Sequence, residues 1–535
     1  MATHPDLLPS PGLEPLATAE PRVRRRTGPW PLLAVLALQS FASVVALHNS
    51  AFQDEALYLY AGRQIIHHWG GGPAPLADYA YFISGYPDIY PPIGGFLEMV
   101  GGLSLARDFS LACMLGVTTI VYLVTGRLYG RRAAVLGAAT YSVLGVVLFL
   151  SRLATYDPLS LLLIAVAAGL AVYGGTAKRP WPVLGTGPAL VLAVLAKYAA
   201  LLFVPAALAL VACVALAYWG WRRALARLAL ALASLAVSVV IAYELMDKAA
   251  LHAISGSTTN RSVGARAPRL DLLLHVLQLG GAVYLIAFGG LLLSLRLRWR
   301  FWLIALVLFG ASWLVPAYHI DKQEPISLDK HIGYAMFFAA PLAGYALAWL
   351  SQGERGPRII ASQGRWVASV AAITVVATLG LIQARDLYNG WPNTSQLSAA
   401  LHAEVRDASG RILAEDIEVS QFDALDVTEP WQWESFYYPY YRDRSGQPLY
   451  GQPAIAQAIK DGYYDWVELS FIYLPDQAYY AAGQMARTRN YDLVDVILFG
   501  DAYGKAHYYL FRSAPTPGHG TFTSLTQLKT KNWGS

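Results

Sequence analysis

A short acidic segment near the start of the chain has the residue types that an enzyme uses to move a proton. Asp54 and Glu55 follow the first long apolar run, and apolar and aromatic residues then recur at helical spacing from Leu57 to His68. This spacing predicts an amphipathic helix on a membrane surface, with Asp54 at its N-cap. Asp54 could act there as a general base, kept ionised by the helix dipole. A capping role alone is the structural alternative.

Other unusual ionisable residues stand where long apolar runs begin or break. Asp157 precedes the helix-starting Pro158, and Lys197 is the only charge between Arg179 and Arg222. An ionisable group that enters the hydrocarbon favours a function, although Asp157 could cap a helix and Lys197 could reach the lipid headgroups. Arg63, His319, Asp321, Lys330 and His331 fall on the same predicted side. This convergence suits a site that receives one substrate from the lipid and another from external water.

The composition places these residues in a membrane protein. Of 535 residues, 14% are charged and 56% are hydrophobic, whereas soluble proteins have about 25% charged residues. Apolar segments of about 18 residues or more predict a polytopic α-helical membrane protein with about 11–13 transmembrane helices. The same numbers exclude a soluble multidomain protein, two cysteines exclude a disulfide framework, and a diffuse net charge of +5 gives no reason to expect nucleic acid as a partner.

Basic residues predict the orientation, because positive charge accumulates in cytoplasmic loops. Arginines at 22–26 and the clusters at 127–132, 178–179, 222–227, 296–300 and 355–365 fall on alternate loops. This assignment puts the N-terminus in the cytoplasm and the regions 49–107, 244–275 and 317–331 outside, together with the turn at Asp157. It requires that the short segment 91–106 adds no net crossing, so we expect that segment to be interfacial or re-entrant.

Three regions follow from these patterns. Residues 1–26 are predicted to form a disordered cytoplasmic tail, and residues 27–384 to form a transmembrane domain with an outer loop at 49–107. Residues 385–535 mix short strand-like and helix-like runs with more acids, which is typical of a soluble α/β domain. Span parity puts this C-terminal domain outside the cell. Its Trp- and Tyr-rich stretch 431–441 suits sugar stacking or membrane contact, although domain core is the commoner role.

Four motifs together resemble GT-C glycosyltransferases of the protein mannosyltransferase and aminoarabinose transferase type, which are similar to glycosyltransferase family 39. They occur in the family's order over roughly residues 30–345, each motif being short. The motifs are Asp54-Glu55 with Tyr58, Ala61 and Arg63; Tyr90-Pro91-Pro92-Ile93; the turn from Arg152 to Leu159; and Leu195-Ala196-Lys197-Tyr198. Three departures are the missing His or Lys before the Pro-Pro step, Tyr198 where glycine is common, and a late Arg-Tyr motif that appears as Lys330-His331-Ile332-Gly333-Tyr334.

The resemblance implies an inverting glycosyltransferase of the bacterial plasma membrane. Such an enzyme moves a hexose or pentose from a polyprenyl-phosphate carrier to an acceptor hydroxyl on the outer face. It implies that Asp54 is the general base with Glu55 in support, that Asp157 binds the sugar, and that Lys197 meets the leaving phosphate. The further substrate-binding candidates are Arg63, Tyr90, Arg152, Lys330, His331 and Tyr334. A divalent cation shared by Asp54 and Asp157 stays open, and no other cofactor is expected.

The acceptor stays open between a glycan, a lipid and a protein, with membrane lipid as the surrounding partner. A transporter or flippase of lipid-linked sugars is the main alternative function. It predicts internal repeats and broken helices in mid-membrane, and the sequence has no clear repeat. A membrane-anchored binding or assembly protein, in which residues 385–535 carry the activity, is the third hypothesis.

Overall fold

The apolar runs fold into a bundle of long helices. The computed structural model describes residues 29–247, 266–351, 362–405, 410–501 and 504–528, so the predicted tail at 1–26 lies outside the described residues. The helices of the bundle are α1 (Trp30–Ala46), α2 (Gln53–Trp69), α3 (Tyr90–Tyr129), α4 (Arg131–Ser142), α5 (Gly145–Ser151), α6 (Tyr156–Thr176), α7 (Thr186–Ala196), α8 (Val204–Trp219), α9 (Trp221–Leu245), α10 (Arg269–Ser294), α11 (Trp299–Lys322), α12 (Leu328–Ser351) and α13 (Ser362–Tyr388).

Eight helices within the described ranges are long and apolar enough to cross a membrane. The pair α4 and α5 is bent by 70° at a short break, and two further apolar helices, Trp30–Ala46 and Trp181–Ala196, are shorter. With the bent pair and both shorter helices, the described residues contain eleven apolar helical segments. The predicted polytopic helical architecture is therefore confirmed, with fewer full-length spans than the predicted number of helices.

Two breaks in the helices bring ionisable residues to one end of the bundle. The predicted break near Lys197 is present: α7 ends at Ala196, and Lys197 itself is extended, with φ of −155°. The second break lies inside the segment 91–106: residues 90–100 form the first arm of α3, and non-helical Gly101 and Gly102 separate it from the longer arm that follows. Gly102 has a φ of 67° that glycine adopts without steric cost.

Helix α12 forms the centre of the bundle, and most of its apolar length is buried. It packs against α4, α10 and α11. The packing on α4 is very close, since a Cβ on Gly344 would lie 2.4 Å from the carbonyl oxygen of Ala133. Because interiors are packed as densely as organic crystals, α12 holds the residues at its N-terminal end in fixed positions.

The C-terminal domain is an α/β sandwich, as predicted. Its five-stranded sheet has the order β2-β1-β5-β7-β6, in which β1 is parallel to β2 and β5, and β7 is antiparallel to β5 and β6. Helices α16 and α17 cover one face and α14 covers the other. The elements are α14 (Ser395–Glu404), β1 (Arg411–Ala414), α15 (Ile417–Asp423), β2 (Trp433–Ser435), β3 (Tyr440–Arg442), β4 (Pro448–Tyr450), α16 (Gly451–Asp461), β5 (Tyr464–Leu469), α17 (Pro475–Thr488), β6 (Tyr491–Asp501) and β7 (Gly504–Ser513).

Strand β5 ends at Leu469. The backbone N–H groups of residues 470–474 all donate to one buried carboxylate, that of Glu415, over distances of 2.6–3.0 Å. A ladder of strand hydrogen bonds would need the same donors. The chain therefore leaves the sheet at the point where Glu415 binds it.

Candidate active site

Helix α2 begins one residue before Asp54, and its N-cap is Phe52. The predicted N-cap position of Asp54 is therefore wrong. The physical reason is that Glu55 supplies the cap, because its carboxylate accepts the Phe52 N–H at 2.9 Å. Asp54 is left in the first turn with its side chain directed to other partners.

The α2 helix is not an open surface helix with one apolar face. Most of its residues from Glu55 to Ile65 are buried. The first arm of α3 packs so closely on it that a Cβ on Gly62 would lie 1.8 Å from the carbonyl oxygen of Pro91. Helix α15 of the C-terminal domain contacts it as well. The residues around Asp54 are thus held by two other elements.

Glu55 is buried and all of its acceptor positions are used. Oε1 accepts from Arg107 Nε at 2.9 Å and from the Ala154 N–H at 2.6 Å. Oε2 accepts from Arg107 Nη2 at 2.6 Å, in addition to the Phe52 N–H. Glu55 therefore joins the start of α2 to α3 and to the turn before Asp157.

Asp54 is paired with a lysine from the distant helix α12. Lys330 Nζ donates to Asp54 Oδ2, and the side chain of Lys330 is almost fully buried, whereas that of Asp54 is 29% exposed. The Asp54 carboxylate is thus half-buried beside a buried cation and can still be reached from solvent. Asp54 is therefore the acid of the site that a water-borne substrate can approach.

Asp157 forms a second Asp–Lys pair that is fully enclosed. Lys197 Nζ donates to Asp157 Oδ1, and Thr155 Oγ1 donates to Oδ2 at 3.2 Å. Tyr334, which lies one helical turn after Lys330 on α12, donates to the Asp157 carbonyl at 3.0 Å. Asp157 is thus contacted on three sides by the hydrogen-bonding groups that a buried charge needs.

Two tyrosines lie between the pairs. The hydroxyl of Tyr58 donates to that of Tyr156 at 2.8 Å, and their ring centroids are 4.5 Å apart. Lys197 Nζ lies 4.9 Å from the centre of the Tyr156 ring, and the ring of Tyr90 meets Tyr58 edge-on. Lys330 attracts Asp157 as well as Asp54. The four charged groups Asp54, Lys330, Asp157 and Lys197 therefore act as one unit, the ion-pair cluster.

The remaining sequence candidates contact the cluster less directly. His331 follows Lys330, and its Nδ1 lies 2.7 Å from Nε2 of His319. Arg63 forms an ion pair with Glu98, and Arg152 donates to Asp108 at 2.6 Å. Both arginines therefore already have carboxylate partners on α3. The structure thus joins six candidates (Asp54, Tyr90, Asp157, Lys197, Lys330 and Tyr334) around the cluster and gives other partners to the rest.

Sequence reasoning did not single out Arg107 or Tyr156. Arg107 lies directly after the segment 91–106 and before the next apolar run, and a charge inside a long apolar helix needs a buried partner. The position of Arg107 could have indicated a buried, paired charge, but a single sequence does not identify Glu55 as its partner. Tyr156 adjoins Asp157 in a turn whose packing depends on α2.

The side chains of the ion-pair cluster do not fit a divalent cation in this arrangement. Among the residues that the structure describes, no group of three or more His, Cys, Asp or Glu side chains could hold a metal ion. Asp54 and Asp157 are each bound to a lysine ammonium, which repels a cation at the same oxygen. Ca²⁺ and Mg²⁺ also need more oxygen ligands than two carboxylates supply.

The C-terminal domain contacts the site through α15. Gln421 donates to the Tyr60 hydroxyl at 2.6 Å, which fixes α15 on α2. Gln53, the neighbour of Asp54, donates to Glu418 at 3.2 Å and to the Tyr437 hydroxyl at 3.4 Å. The edge of this domain therefore lies beside the exposed side of Asp54.

A cluster of buried acids supports α15. Burial, with a contribution from the charge of Glu415, raises the pKa of Glu468 to about 8. Burial and the charge of Glu468 raise the pKa of Asp416 well above its usual range. Glu468 accepts the Asp416 N–H at 3.3 Å and the Ser420 hydroxyl at 3.5 Å. The protonation of these acids is therefore linked to the segment that contacts α2.

The arrangement of helices has counterparts among solved structures. The chain matches no protein-family model and no curated protein sequence. It is similar to the aminoarabinose transferase ArnT of Cupriavidus metallidurans, with a TM-score of 0.61 and 15% identity over 91% of this chain and 98% of that one. It is also similar to the oligosaccharyltransferase of Archaeoglobus fulgidus, with a TM-score of 0.55 and 15% identity over 87% of this chain and 72% of that one.

These likenesses show the fold. The chain is a multi-pass membrane protein with the fold of GT-C glycosyltransferases and a C-terminal α/β domain. This confirms the fold that the sequence motifs imply. Two of the matched structures carry carrier lipids: ArnT was solved with undecaprenyl phosphate, and the archaeal oligosaccharyltransferase with an inhibitory peptide and a dolichol-phosphate.

Proposed function

We propose that this protein is a glycosyltransferase that moves a sugar from a polyprenyl-phosphate carrier to an acceptor hydroxyl. The observation that carries the proposal is the convergence of two Asp–Lys pairs at one end of a GT-C-type bundle. Two lysines can meet a phosphate, and two carboxylates can meet an acceptor proton and sugar hydroxyls. The carrier lipids bound by the matched structures support a lipid phosphate as the donor group.

In the proposed reaction, Asp54 is the general base. The acceptor oxygen bonds to the anomeric carbon while the bond from that carbon to the phosphate oxygen breaks. The electron pair of the broken bond goes to the phosphate, and the acceptor proton goes to a carboxylate oxygen of Asp54. One displacement inverts the anomeric centre. The exposure of Asp54 supports this role, because the acceptor must come from water.

Lys330 and Lys197 receive the phosphate. Each is ion-paired with an aspartate in this structure, so the cluster has no net charge. The phosphate of the donor competes with Asp54 for Lys330. When Lys330 binds the phosphate, a carboxylate oxygen of Asp54 becomes free for the acceptor hydroxyl. Asp157 is enclosed and keeps its contacts with Thr155 and Tyr334. Once the phosphate draws Lys197 away, Oδ1 of Asp157 is the oxygen that accepts hydrogen bonds from the donor sugar in this proposal.

The other candidates have positioning roles in this proposal. Glu55 holds the start of α2 and the turn before Asp157, and Tyr90 packs against Tyr58. Arg63 and Arg152 hold the outer loop through their carboxylate partners. His331 links Lys330 on α12 to His319 on α11.

The orientation is part of the proposal. Arg127, in the basic cluster at 127–132, donates to Thr176 at 2.8 Å, so the two basic loops after α3 and α6 meet at one end of the bundle. Asp157 starts α6 at the other end. By the positive-inside rule, the ion-pair cluster and residues 385–535 then lie outside the cytoplasm, and residues 27–384 form the catalytic domain.

The test is transfer by purified protein from polyprenyl-phosphate mannose, arabinofuranose and aminoarabinose to an alkyl glycoside. We expect one donor to give a glycosidic product of inverted configuration. Asp54→Asn should abolish product at temperatures well below its unfolding temperature, which we expect to fall somewhat because the buried Lys330 loses its partner. Asp321→Asn is the matched control, because Asp321 is an exposed acid near the end of α11. Normal turnover by Asp54→Asn would refute the base. Transport of the lipid across sealed vesicles without a new bond would instead support a flippase.

A further inference from the structure

Exposed tyrosines on the C-terminal domain form a surface that the proposed reaction does not use. Tyr438 and Tyr450 are 78% and 67% exposed, and Tyr440 is also exposed. Tyr440 and Tyr450 are opposite each other in the β3–β4 hairpin, with ring centroids 5.3 Å apart. The next pair, Tyr441 and Leu449, packs against the core of the domain. Since the core is filled from that face, the exposed tyrosines are not needed for folding.

This surface extends to the neighbourhood of the base. The ring of Tyr438 meets that of Phe82 in the outer loop, with centroids 6.3 Å apart, and Phe82 is itself 50% exposed. Tyr437 accepts a hydrogen bond from Gln53, the residue before Asp54. Aromatic rings from two distant parts of the chain thus meet beside the residue that precedes Asp54, and the Tyr440–Tyr450 pair follows in the adjoining hairpin.

The chemistry of the surface fits a glycan. A sugar ring presents an apolar C–H face and a rim of hydroxyls, and a tyrosine offers a flat ring with a hydroxyl at its tip. Charged groups of both signs border the rings: the Glu418 carboxylate shares Gln53 as a donor with Tyr437, and the Arg442 guanidinium lies 6.0 Å from the centre of the Tyr440 ring. A surface for anionic membrane lipid carries a cluster of basic residues, whereas neighbouring donors and acceptors suit the hydroxyls of a sugar. The mixed charge therefore favours a hydroxyl-rich ligand over an anionic lipid.

We propose that Tyr437, Tyr438, Tyr440 and Tyr450, with Phe82, bind a glycan acceptor and lead its reacting hydroxyl to Asp54. That this glycan is the acceptor of the reaction rests on the proposed function, whereas its binding to the surface does not. The proposal narrows the acceptor from glycan, lipid or protein to a carbohydrate of several units.

The test is direct binding of neutral tetrasaccharides of mannose, arabinofuranose and glucose to the full-length protein in detergent, measured by calorimetry. We expect at least one to bind, and Tyr438→Ala or Tyr440→Ala to weaken it about five- to tenfold, the loss expected for one ring face. Tyr438→Trp should keep the affinity. Tyr479→Ala is the matched control, since Tyr479 is an exposed tyrosine on α17, outside this surface.

Each result decides the proposal. It is overturned if no tetrasaccharide binds at millimolar concentration, or if the alanine variants bind as the wild type does. It is also overturned if they lose binding to phosphatidylglycerol vesicles while glycan binding is unchanged. The wild type could also bind a tetrasaccharide through these tyrosines but form no glycosidic bond with any donor. That result refutes the proposed function and still supports glycan binding at this surface. A wild type that transfers sugar, with binding and KM unaffected by Tyr438→Ala, refutes the surface alone.

Discussion

Replacing Glu55 by glutamine tests whether this acid positions the site or takes part in the chemistry. Each of its carboxylate oxygens accepts two hydrogen bonds, and two of the four donors belong to the buried Arg107. A glutamine has one acceptor oxygen. In either orientation of the amide, its NH₂ group faces two N–H donors. Glu55→Gln therefore loses two hydrogen bonds and leaves Arg107 buried without a countercharge.

The expected loss of stability follows from the missing ion pair and hydrogen bonds. Removing one partner of a buried ion pair costs about 3–5 kcal/mol, and most hydrogen bonds to charged groups contribute about 1.5–3 kcal/mol each. We expect Glu55→Gln to lower the free energy of unfolding by about 3–5 kcal/mol. Arg107→Met should cost a similar amount. The double variant should cost much less than the sum, because neither charge then remains buried and unpaired.

The assay is denaturant-induced unfolding of the detergent-purified protein, followed by tyrosine and tryptophan fluorescence, with transfer measured on the same samples. Asp54→Asn is the comparison: it should lose turnover with a smaller loss of stability than Glu55→Gln, because Asp54 is partly exposed and has one charged partner. If Glu55→Gln keeps the wild-type unfolding free energy while its turnover falls, Glu55 acts in the chemistry and the positioning role is wrong. If the effects of the two single variants are additive, the ion pair with Arg107 does not carry the energy.

Three further outcomes follow from the same structure. Lys197→Met should remove binding of undecaprenyl phosphate, measured by calorimetry, whereas Lys322→Met should not, because Lys322 is an exposed lysine at the end of α11. Glu468 has a pKa of about 8 in the folded protein, against 4.5 ordinarily, so the C-terminal domain should lose stability as the pH rises between these values; Glu468→Gln should flatten a melting-temperature profile over that range. Glu415→Gln should lower the melting temperature of that domain at every pH in the same profile, since five backbone N–H groups lose a charged acceptor.

The sequence predicts the helical architecture well because membrane spans depend on composition alone. Apolar length identifies α6, α8, α10, α11 and α12 without any knowledge of their neighbours. The break at Lys197 was predictable for the same reason, since a lysine in a long apolar run disturbs the helix. The break at Gly101 and Gly102 was not predictable, because two glycines leave the hydropathy pattern unchanged.

The site was predictable as a set of residue types but not as a set of partners. Asp54, Asp157, Lys197 and Lys330 stand out because charges are scarce around them. Which acid meets which lysine depends on how α2, α6, α7 and α12 pack. The same limit explains the error at the N-cap: Glu55, not Asp54, caps α2 because Arg107 and the turn before Asp157 hold its carboxylate there.

The pairing of each acid with a lysine has a consequence for the order of events in the proposed reaction. A carboxylate held by an ammonium is a weaker base than a free one, since the proton it must accept competes with that ammonium. While Lys330 donates to Asp54, the acceptor hydroxyl is poorly activated. Donor phosphate draws Lys330 away, so the base gains strength only when the bond to be attacked is in place. This coupling predicts that acceptor reactivity depends on bound donor phosphate. In Lys330→Met, Asp54 would lose its partner, so the KM for the acceptor in residual transfer should no longer depend on the concentration of the donor.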